Sequence, residues 1–369
     1  MMLKIWLSLL FQRIKLPFKH RKTRAFLKSE QQRIHSLLPA QVVAKKGTLI
    51  IKTDDIGDYL IWQHTWQYYQ ANAASPLYFV GNVVWKPLFE KFNGQTVNTF
   101  WIDKKQWDDV NYRMHWYETI NNLQVETTII PSFTRNTRIE DLLALASNAT
   151  NTIGWNNKNL ACQLNIINQG ITPVITHQLE YFRNTAFVNQ VFNLKISDNI
   201  ESIVPEMERQ NTLVVFSVAN MRSKCWPVQH YVELISKMAH QFDTICLLGG
   251  QDSVEANAQI EAALKLEKVK NYSQQTTLLQ TIEMVSKCRL VICPDTAALH
   301  MAVLTNTPVI VKSNGVNALR FVNYPKNVTA IFPPYFRLNP NKDKTMYSRS
   351  EINTIKVEHV LQAINNHLV

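Results

Sequence analysis

Three polar stretches, each placed after an apolar run, hold most of the side chains whose types and spacing could do chemistry. In the first, Ile50 and Ile51 lead through Lys52 and Thr53 to Asp54, Asp55, Gly57 and Asp58. Gly57 allows a tight turn there, and Asp58 opens a helical pattern. A carboxylate at this place has two compatible readings. It can cap the first helical turn by accepting from free N–H groups, or it can act as a general base on a hydroxyl at the mouth of a cleft. Asp55 and Gly57 belong to the same loop. The second stretch follows the apolar run 214–216 with Ser217, Asn220, Arg222, Ser223 and Lys224, then Trp226 and Pro227. Pro227 suits the first position of a helix, and cations beside a helix N-terminus form a site for an anion such as phosphate. A solvated basic loop is the plainer reading. In the third stretch, the apolar run 290–293 ends in Pro294, Asp295 and Thr296, with His300 one turn into the next helix. A helix cap alone accounts for Asp295, and a lone His on a helix is more often packed or exposed than a ligand. No Asp-x-Asp triplet occurs, so an Asp-chelated metal on a pyrophosphate is not suggested. Cations and helix N-termini would offset that charge instead.

These loops need a scaffold, and the alternation of the chain describes one. Short apolar runs at 48–53, 77–81, 98–102, 127–130 and 151–154 read as strands, with helical patterns at 59–70 and 138–147 between them. Residues 171–200 carry few strand signals, and Ser197-Asp198-Asn199 followed by Pro205 reads as a linker. A second series of strands follows at 212–217, 244–248, 268–271, 290–293 and 308–312. Strand–helix alternation predicts parallel sheets with helices on both faces. Two such open α/β sheets place a ligand cleft between them, at the carboxyl ends of the strands.

At 369 residues the chain is long enough for two domains. With 46 % hydrophobic and 18 % charged residues it is globular. The net charge of +11 is concentrated: residues 1–46 hold eleven Lys and Arg and one acid, Glu30, so the rest of the chain is nearly neutral. General nucleic-acid binding would spread cations over a folded face, and no nucleic-acid partner is expected. Residues 1–18 are too short and too interrupted by Arg13 and Lys15 to span a bilayer, and no small-residue cleavage site follows them. On a helix, Leu3, Trp6, Leu7, Leu10, Phe11 and Ile14 form one apolar stripe, and Lys19, Arg21, Lys22, Arg24 and Lys28 follow it. Apolar face plus basic tail predicts an interfacial helix on an anionic leaflet through residues 1–28. The alternative is a helix docked on the body of the protein. Five cysteines without metal-ligand spacing fit reduced thiols in a cytoplasm.

The three loops, in this order and spacing, resemble the bacterial heptosyltransferases, a family of inverting glycosyltransferases. Gly57-Asp58 is similar to the family's first Gly-Asp pair, and Lys224-Cys225-Trp226-Pro227 matches its Lys-x-Trp-Pro motif. Gly249-Gly250, followed by Glu255, resembles its third motif. Asp295-Thr296, His300 and Ala302, with Thr307-Pro308-Val309 beyond, resemble its Asp-Thr-Gly-x-x-His-x-Ala signature. The resemblance covers about residues 47–325. Ala297 stands where the family has glycine, the loop before Lys224 lacks the usual Pro-Gly, and the basic arm is an addition.

This resemblance implies a GT-B fold: two Rossmann-like domains, here 47–195 for the acceptor and 196–345 for the donor. An arm at 1–46 precedes them, and a C-terminal helix within 346–369 would pack back on the first domain. It implies that Asp58 deprotonates the acceptor hydroxyl, that Lys224, with Ser217 and Arg222 nearby, holds the donor phosphates, and that Glu255 meets the ribose. Asp295 and Thr296 would face the donor sugar and phosphates, and His300 would support their loop. The implied donor is ADP-heptose, a co-substrate with no cofactor or metal. The implied acceptor is a lipid-linked core glycan of lipopolysaccharide on the cytoplasmic face of the inner membrane. Two other readings stay open: the same fold using a UDP-N-acetylhexosamine, and a non-catalytic relative acting as a binding or scaffold protein.

Overall fold

A computed structural model of the chain describes residues 21–38, 44–94, 97–156, 164–172, 179–334, 336 and 352–368. The first unit carries strands β1 (Thr48–Lys52), β2 (Leu77–Asn82), β3 (Asn98–Ile102), β4 (Thr127–Ile130), β5 (Asn151–Trp155) and β6 (Gln169–Ile171). The second carries β7 (Gln210–Phe216), β8 (Thr244–Leu248), β9 (Val269–Asn271), β10 (Cys288–Pro294), β11 (Val309–Lys312) and β12 (Val328–Ile331). Every strand pairing is parallel. The sheet orders are β3-β2-β1-β4-β5-β6 and β12-β11-β10-β7-β8-β9. Counted within each unit, both follow the doubly wound order of a dinucleotide-binding sheet, and each reverses direction beside its first strand. The interior strands β1 and β11 are buried throughout, as expected where helices cover both faces.

The expected helix at 59–70 is broken into the helix Ile56–Leu60, a 3-10 turn at Gln63–Thr65 and the helix Trp66–Asn72. Tyr59, Trp62, Trp66 and Tyr69 are all fully or almost fully buried in one aromatic core with Phe79, Trp85 and Phe89. Their i, i+3, i+7, i+10 spacing puts these four positions on one face, which the break between the two helices leaves turned to the core. The turn is tied by Thr65 Oγ1, which donates to the Trp62 carbonyl at 2.7 Å. Before the linker read at Ser197–Pro205, the helix Glu180–Phe192 packs Tyr181, Phe187 and Val188 into the core of the first unit. The irregular connection starts only after it.

Residues 21–37 form a helix that is docked on the first unit. Leu27 and Ile34 join Trp107, Trp116, Tyr117 and Ile120 in a common core. Glu30, the single acid of the basic segment, is 1 % exposed and accepts from Arg113 Nε at 2.6 Å and Tyr117 Oη at 2.8 Å. Such a pair costs about 3–5 kcal/mol to break from one side, which fixes the helix in register. Arg21, Lys22, Arg24 and Lys28 remain on the outer face. The first unit therefore begins before the expected boundary at residue 47. The apolar stripe from Leu3 to Ile14 lies outside the described residues.

The C-terminal helix Val357–Leu368 corrects another expectation. It packs on the second unit, with Ile355, Val360 and Ile364 against Tyr231, Leu234 and Ile310. Trp226 Nε1 donates to the Ile355 carbonyl at 2.9 Å. An amphipathic pattern reports that a helix has a face to bury, not which sheet receives it.

Candidate active site

The loop after β1 in the first unit, with Val84 after β2, faces the loops after β7, β8 and β10 in the second, across a cleft of about 780 Å3. These are the switch points of both sheets, where parallel strands diverge and leave a crevice. Asp55, Gly57, Asp58, Lys224, Asp295, Thr296 and His300 all line it. A smaller cavity of about 460 Å3 beside the linker, lined by Asp198, Arg209 and Lys326 among others, holds none of the residues selected from the sequence.

On the first wall, the helix Ile56–Leu60 starts two residues before Asp58, with Asp55 in the capping position and no side-chain cap bond. Asp58 is thus not the cap, and its carboxylate is left to the cleft. Its surroundings are rigid. Asn82 Nδ2 and Trp85 Nε1 each donate to the Asp54 carbonyl at 3.0 Å, and Trp85 stacks on Tyr59 with ring centroids 4.4 Å apart. Asp54 pairs with the buried Lys52 and accepts from Ser132 Oγ at 3.1 Å. Ser132 Oγ also lies 2.9 Å from Glu140 Oε1. Burial works against the charge of Lys52, but Asp54, Asp58 and Glu140 outweigh it and hold its pKa above the ordinary value. Burial, reinforced by the Asp54 carboxylate, pushes Asp58 up to about 7, against the opposing pull of Lys52. A carboxyl poised near neutrality can take up a proton at working pH. Asp55, by contrast, is exposed at the rim and paired with Lys104 at 2.6 Å.

On the second wall, Lys224 Nζ donates to Asp295 Oδ2 at 2.8 Å and to the Asp295 carbonyl at 3.1 Å. This joins the loops after β7 and β10. Asp295 is 4 % exposed, and burial raises its pKa although Lys224 opposes the shift. Thr296 stands at the N-cap of the helix Ala297–Leu304 without a side-chain cap bond, so the N–H groups of that helix end face the cleft unblocked. His300 Nδ1 bonds to Tyr324 Oη at 2.8 Å. Burial lowers the imidazole to about 3, so it stays neutral and serves as a support. Among the described residues no three His, Cys, Asp or Glu side chains gather to hold a metal ion.

The walls touch at Gly57. A Cβ there would stand 3.0 Å from His300 Cδ2 and 3.5 Å from Ala297 Cα. A side chain at Gly57 would require the His300 ring to give way by a few tenths of an ångström. Gly57→Ala is expected to push the walls apart and lower kcat/KM about tenfold while the melting temperature stays near that of the wild type. Unchanged kcat/KM would show that the close approach has no catalytic consequence.

Three residues selected from the sequence are not brought to the cleft. Ser217 is buried behind it, its hydroxyl donating to Asn257. Side chains alternate along an extended segment, so Phe216 takes the cleft side and Ser217 the opposite one. Arg222 is exposed and absent from the lining. Glu255 faces away and accepts from Gln259 at 3.3 Å. Asp252 lines the cleft in its place, beside Gly249 and Gly250. The signal for it was the Gly-Gly pair: the first acid after that turn lies at the strand end, whereas Glu255 is already on the next helix. Gln274 and Thr276, which also line this end of the cleft, carried no signal.

The model of glycosyltransferase family 9 (heptosyltransferase) matches residues 142–330, half of the chain. That stretch includes Lys224, Asp295 and His300 but not Asp58. Lipopolysaccharide heptosyltransferase 2 of Escherichia coli K12 is 27 % identical over 29 % of this chain. The match spans 35 % of that relative's length and 26 % of the other curated relatives it resembles, so the chain covers only a quarter to a third of them. Among solved structures, a family 9 glycosyl transferase from Veillonella parvula superposes with a TM-score of 0.69 at 13 % identity, over 89 % of this chain and 99 % of that one. E. coli heptosyltransferase WaaC with ADP superposes with a TM-score of 0.67 at 14 % identity, over 87 % and 99 %. These likenesses establish the two-lobed GT-B fold.

Proposed function

Since this chain belongs to glycosyltransferase family 9, we propose that it is an inverting glycosyltransferase that moves heptose from ADP-heptose to a lipid-linked core glycan of lipopolysaccharide. The observation that carries this reading is the placement of Asp58 and the Lys224–Asp295 pair on facing walls of one cleft. The acceptor hydroxyl attacks the anomeric carbon of the donor from the Asp58 side and gives its proton to that carboxylate. On the opposite face the bond from the anomeric carbon to the diphosphate oxygen breaks, and the electron pair leaves with the nucleotide diphosphate. One displacement of this kind inverts the anomeric centre. Lys224 and the free N–H groups at the start of the helix Ala297–Leu304 meet the departing charge, with Thr296 beside them. Asp295 orients Lys224, and Asp252 lies at the end of the cleft where the ribose hydroxyls would be met.

Lys224 and the helix end together support a transfer without a divalent cation. The basic residues of 1–28 support work at the cytoplasmic face of an inner membrane, beside an anionic lipid acceptor. Among the described residues no helix is long and apolar enough to cross a membrane.

Titration calorimetry with ADP and with UDP is the test of the donor. ADP is expected to bind about tenfold tighter or more, a difference of about 1.4 kcal/mol, and transfer from ADP-heptose is expected to continue in EDTA. Tighter UDP binding would overturn the heptose assignment and favour a UDP-linked hexosamine.

A further inference from the structure

The helix over residues 21–37 is held to the first lobe by one side. Leu27, Glu30 and Ile34 are buried there, and Glu30, the only acid of the helix, is taken up by Arg113, Tyr117 and its neighbour Arg33. Arg21, Lys22, Arg24 and Lys28 are exposed. At 3.6 residues per turn, Arg21, Arg24 and Lys28 fall within about 60° of one another and point away from Glu30. None of the four cations makes an ion pair with another described residue, so this side carries positive charge with no acid to balance it. Arg21 and Arg24 stand three residues apart and Arg24 and Lys28 four, spacings at which like charges weaken a helix. A face that weakens its own helix points to a partner that offsets the repulsion.

Contacts at its two ends give the direction of the helix. Phe26 lies against Arg113 and Arg138, whose Cζ atoms are 5.2 and 4.4 Å from its ring centroid. Arg113 is in the first turn of the helix Val110–Asn121, which follows β3, and Arg138 comes just before the helix Glu140–Ser147, which follows β4. Both therefore stand at the carboxyl edge of the sheet, where the cleft is. Toward the other end, the Leu37 carbonyl accepts from Asn121 Nδ2 at 3.4 Å, at the far end of the helix Val110–Asn121. The helix thus runs from the cleft edge back along the outside of the lobe, and the cationic part is the part nearer the cleft. The rim itself is balanced: Lys104 pairs with Asp55 and Arg138 with Asp108.

We propose that the outer side of residues 21–28 is a docking surface for an anionic phospholipid bilayer, and that it lays the first lobe on the membrane with the Asp55 end of the cleft at the lipid surface. Charge complementarity selects this partner. A bilayer presents a plane of negative headgroups, and four cations on one convex helix side, about 10 Å long, match a plane. The apolar positions Leu3 to Ile14 end seven residues before Arg21, so an apolar anchor would join the same edge. The use of the surface rests on the reading of a lipid-linked acceptor, which would then enter the cleft from the membrane; its existence does not.

The test is sedimentation of full-length protein with vesicles of phosphatidylglycerol and phosphatidylethanolamine. The triple variant Arg21→Glu, Arg24→Glu, Lys28→Glu is expected to bind about 100-fold more weakly than the wild type, since each cation near such a surface contributes about fivefold. Lys265→Glu, Lys270→Glu, Lys326→Glu makes the same change of charge on the second lobe and is expected to bind as the wild type does. On wild-type protein, acetylation by a water-soluble ester, read by mass spectrometry, is expected to slow at Lys22 and Lys28 when vesicles are added and to continue at Lys265 and Lys270. Unchanged binding in the first triple variant overturns the proposal, as do equal losses in both variants or a Lys28 that stays reactive on vesicles. Tighter binding to duplex DNA than to vesicles in the same buffer overturns it in favour of a nucleic-acid face. Where the first triple variant does not fold, the acetylation pattern of the wild type decides alone. None of these measurements needs turnover, so a protein that binds vesicles in this way but transfers no sugar sinks the glycosyltransferase reading and leaves the surface standing.

Discussion

Replacing Asp58 by Asn is expected to lower sugar transfer by about 10²–10⁴-fold and to leave nucleotide binding unchanged. The amide keeps the size of the side chain and its place in the helix Ile56–Leu60 but cannot take a proton from the acceptor hydroxyl. The nucleotide is held by the opposite wall, so its affinity provides the internal control. The same residue sets the pH dependence. A general base works in its deprotonated form, and burial raises Asp58 to about 7. The wild-type kcat/KM should therefore climb with unit slope below about 7 and level off above it. His300, held neutral by burial, adds no second limb near neutrality. Transfer that survives Asp58→Asn at the wild-type rate would remove the base from the mechanism and favour a binding or scaffold protein that kept the fold.

Lys224→Ala is expected to weaken binding of a nucleotide diphosphate by about 10- to 100-fold, the range for losing a charged hydrogen bond of about 1.5–3 kcal/mol. Two effects act in the same direction. The cation that meets the diphosphate is gone, and Asp295, 4 % exposed, loses the partner 2.8 Å away that opposes its protonation. Burial then acts on Asp295 unopposed, and the loop after β10 loses its tie to the loop after β7. Calorimetric titration of ADP against Lys224→Ala and wild type measures the loss, and circular dichroism melting reports the fold. Equal affinities for the two proteins would move the diphosphate elsewhere.

Much of the scaffold was legible because parallel strands buried on both faces are written as continuous apolar runs. β1, β4, β8 and β10 stand within two residues of where those runs placed them. Two of the edge strands were not legible, although β3 and β9 at the opposite edges were. β6 is three residues, Gln169-Gly170-Ile171, with its first two exposed, and β12 is only half-buried throughout, so neither has a run to read. The docking of residues 21–37 was masked by charge. Eight of the cations in residues 1–46 stand at or before Lys28, and the signal that mattered was the single acid, Glu30, placed between Leu27 and Ile34 on the face that turns inward.

The site divides in the same way. Lys224, Asp295 and His300 lie in motifs that the family 9 match covers, and they reach the cleft together. Asp58 lies outside that match, and what supports its role is its position across the cleft. Ser217 and Glu255 failed on phase: a strand end and a helix start each turn neighbouring side chains to opposite sides, and spacing along the chain does not say which side holds the ligand. Arg320 and Glu180, which pair across the two lobes at 2.6 and 2.9 Å, are 140 residues apart, and their pairing has no local signature. It exists only because two sheets of the same topology face one another.

The central claim is that a nucleotide diphosphate sugar lies between Asp58 and the Lys224–Asp295 pair. A crystal structure with a non-transferable ADP-heptose analogue tests it most directly. The account predicts a phosphate oxygen about 3 Å from Lys224 Nζ, the nucleoside near Asp252, and the anomeric carbon facing Asp58 with room for one hydroxyl between them. A diphosphate bound in the cavity beside the linker, or an anomeric carbon turned away from Asp58, would contradict it.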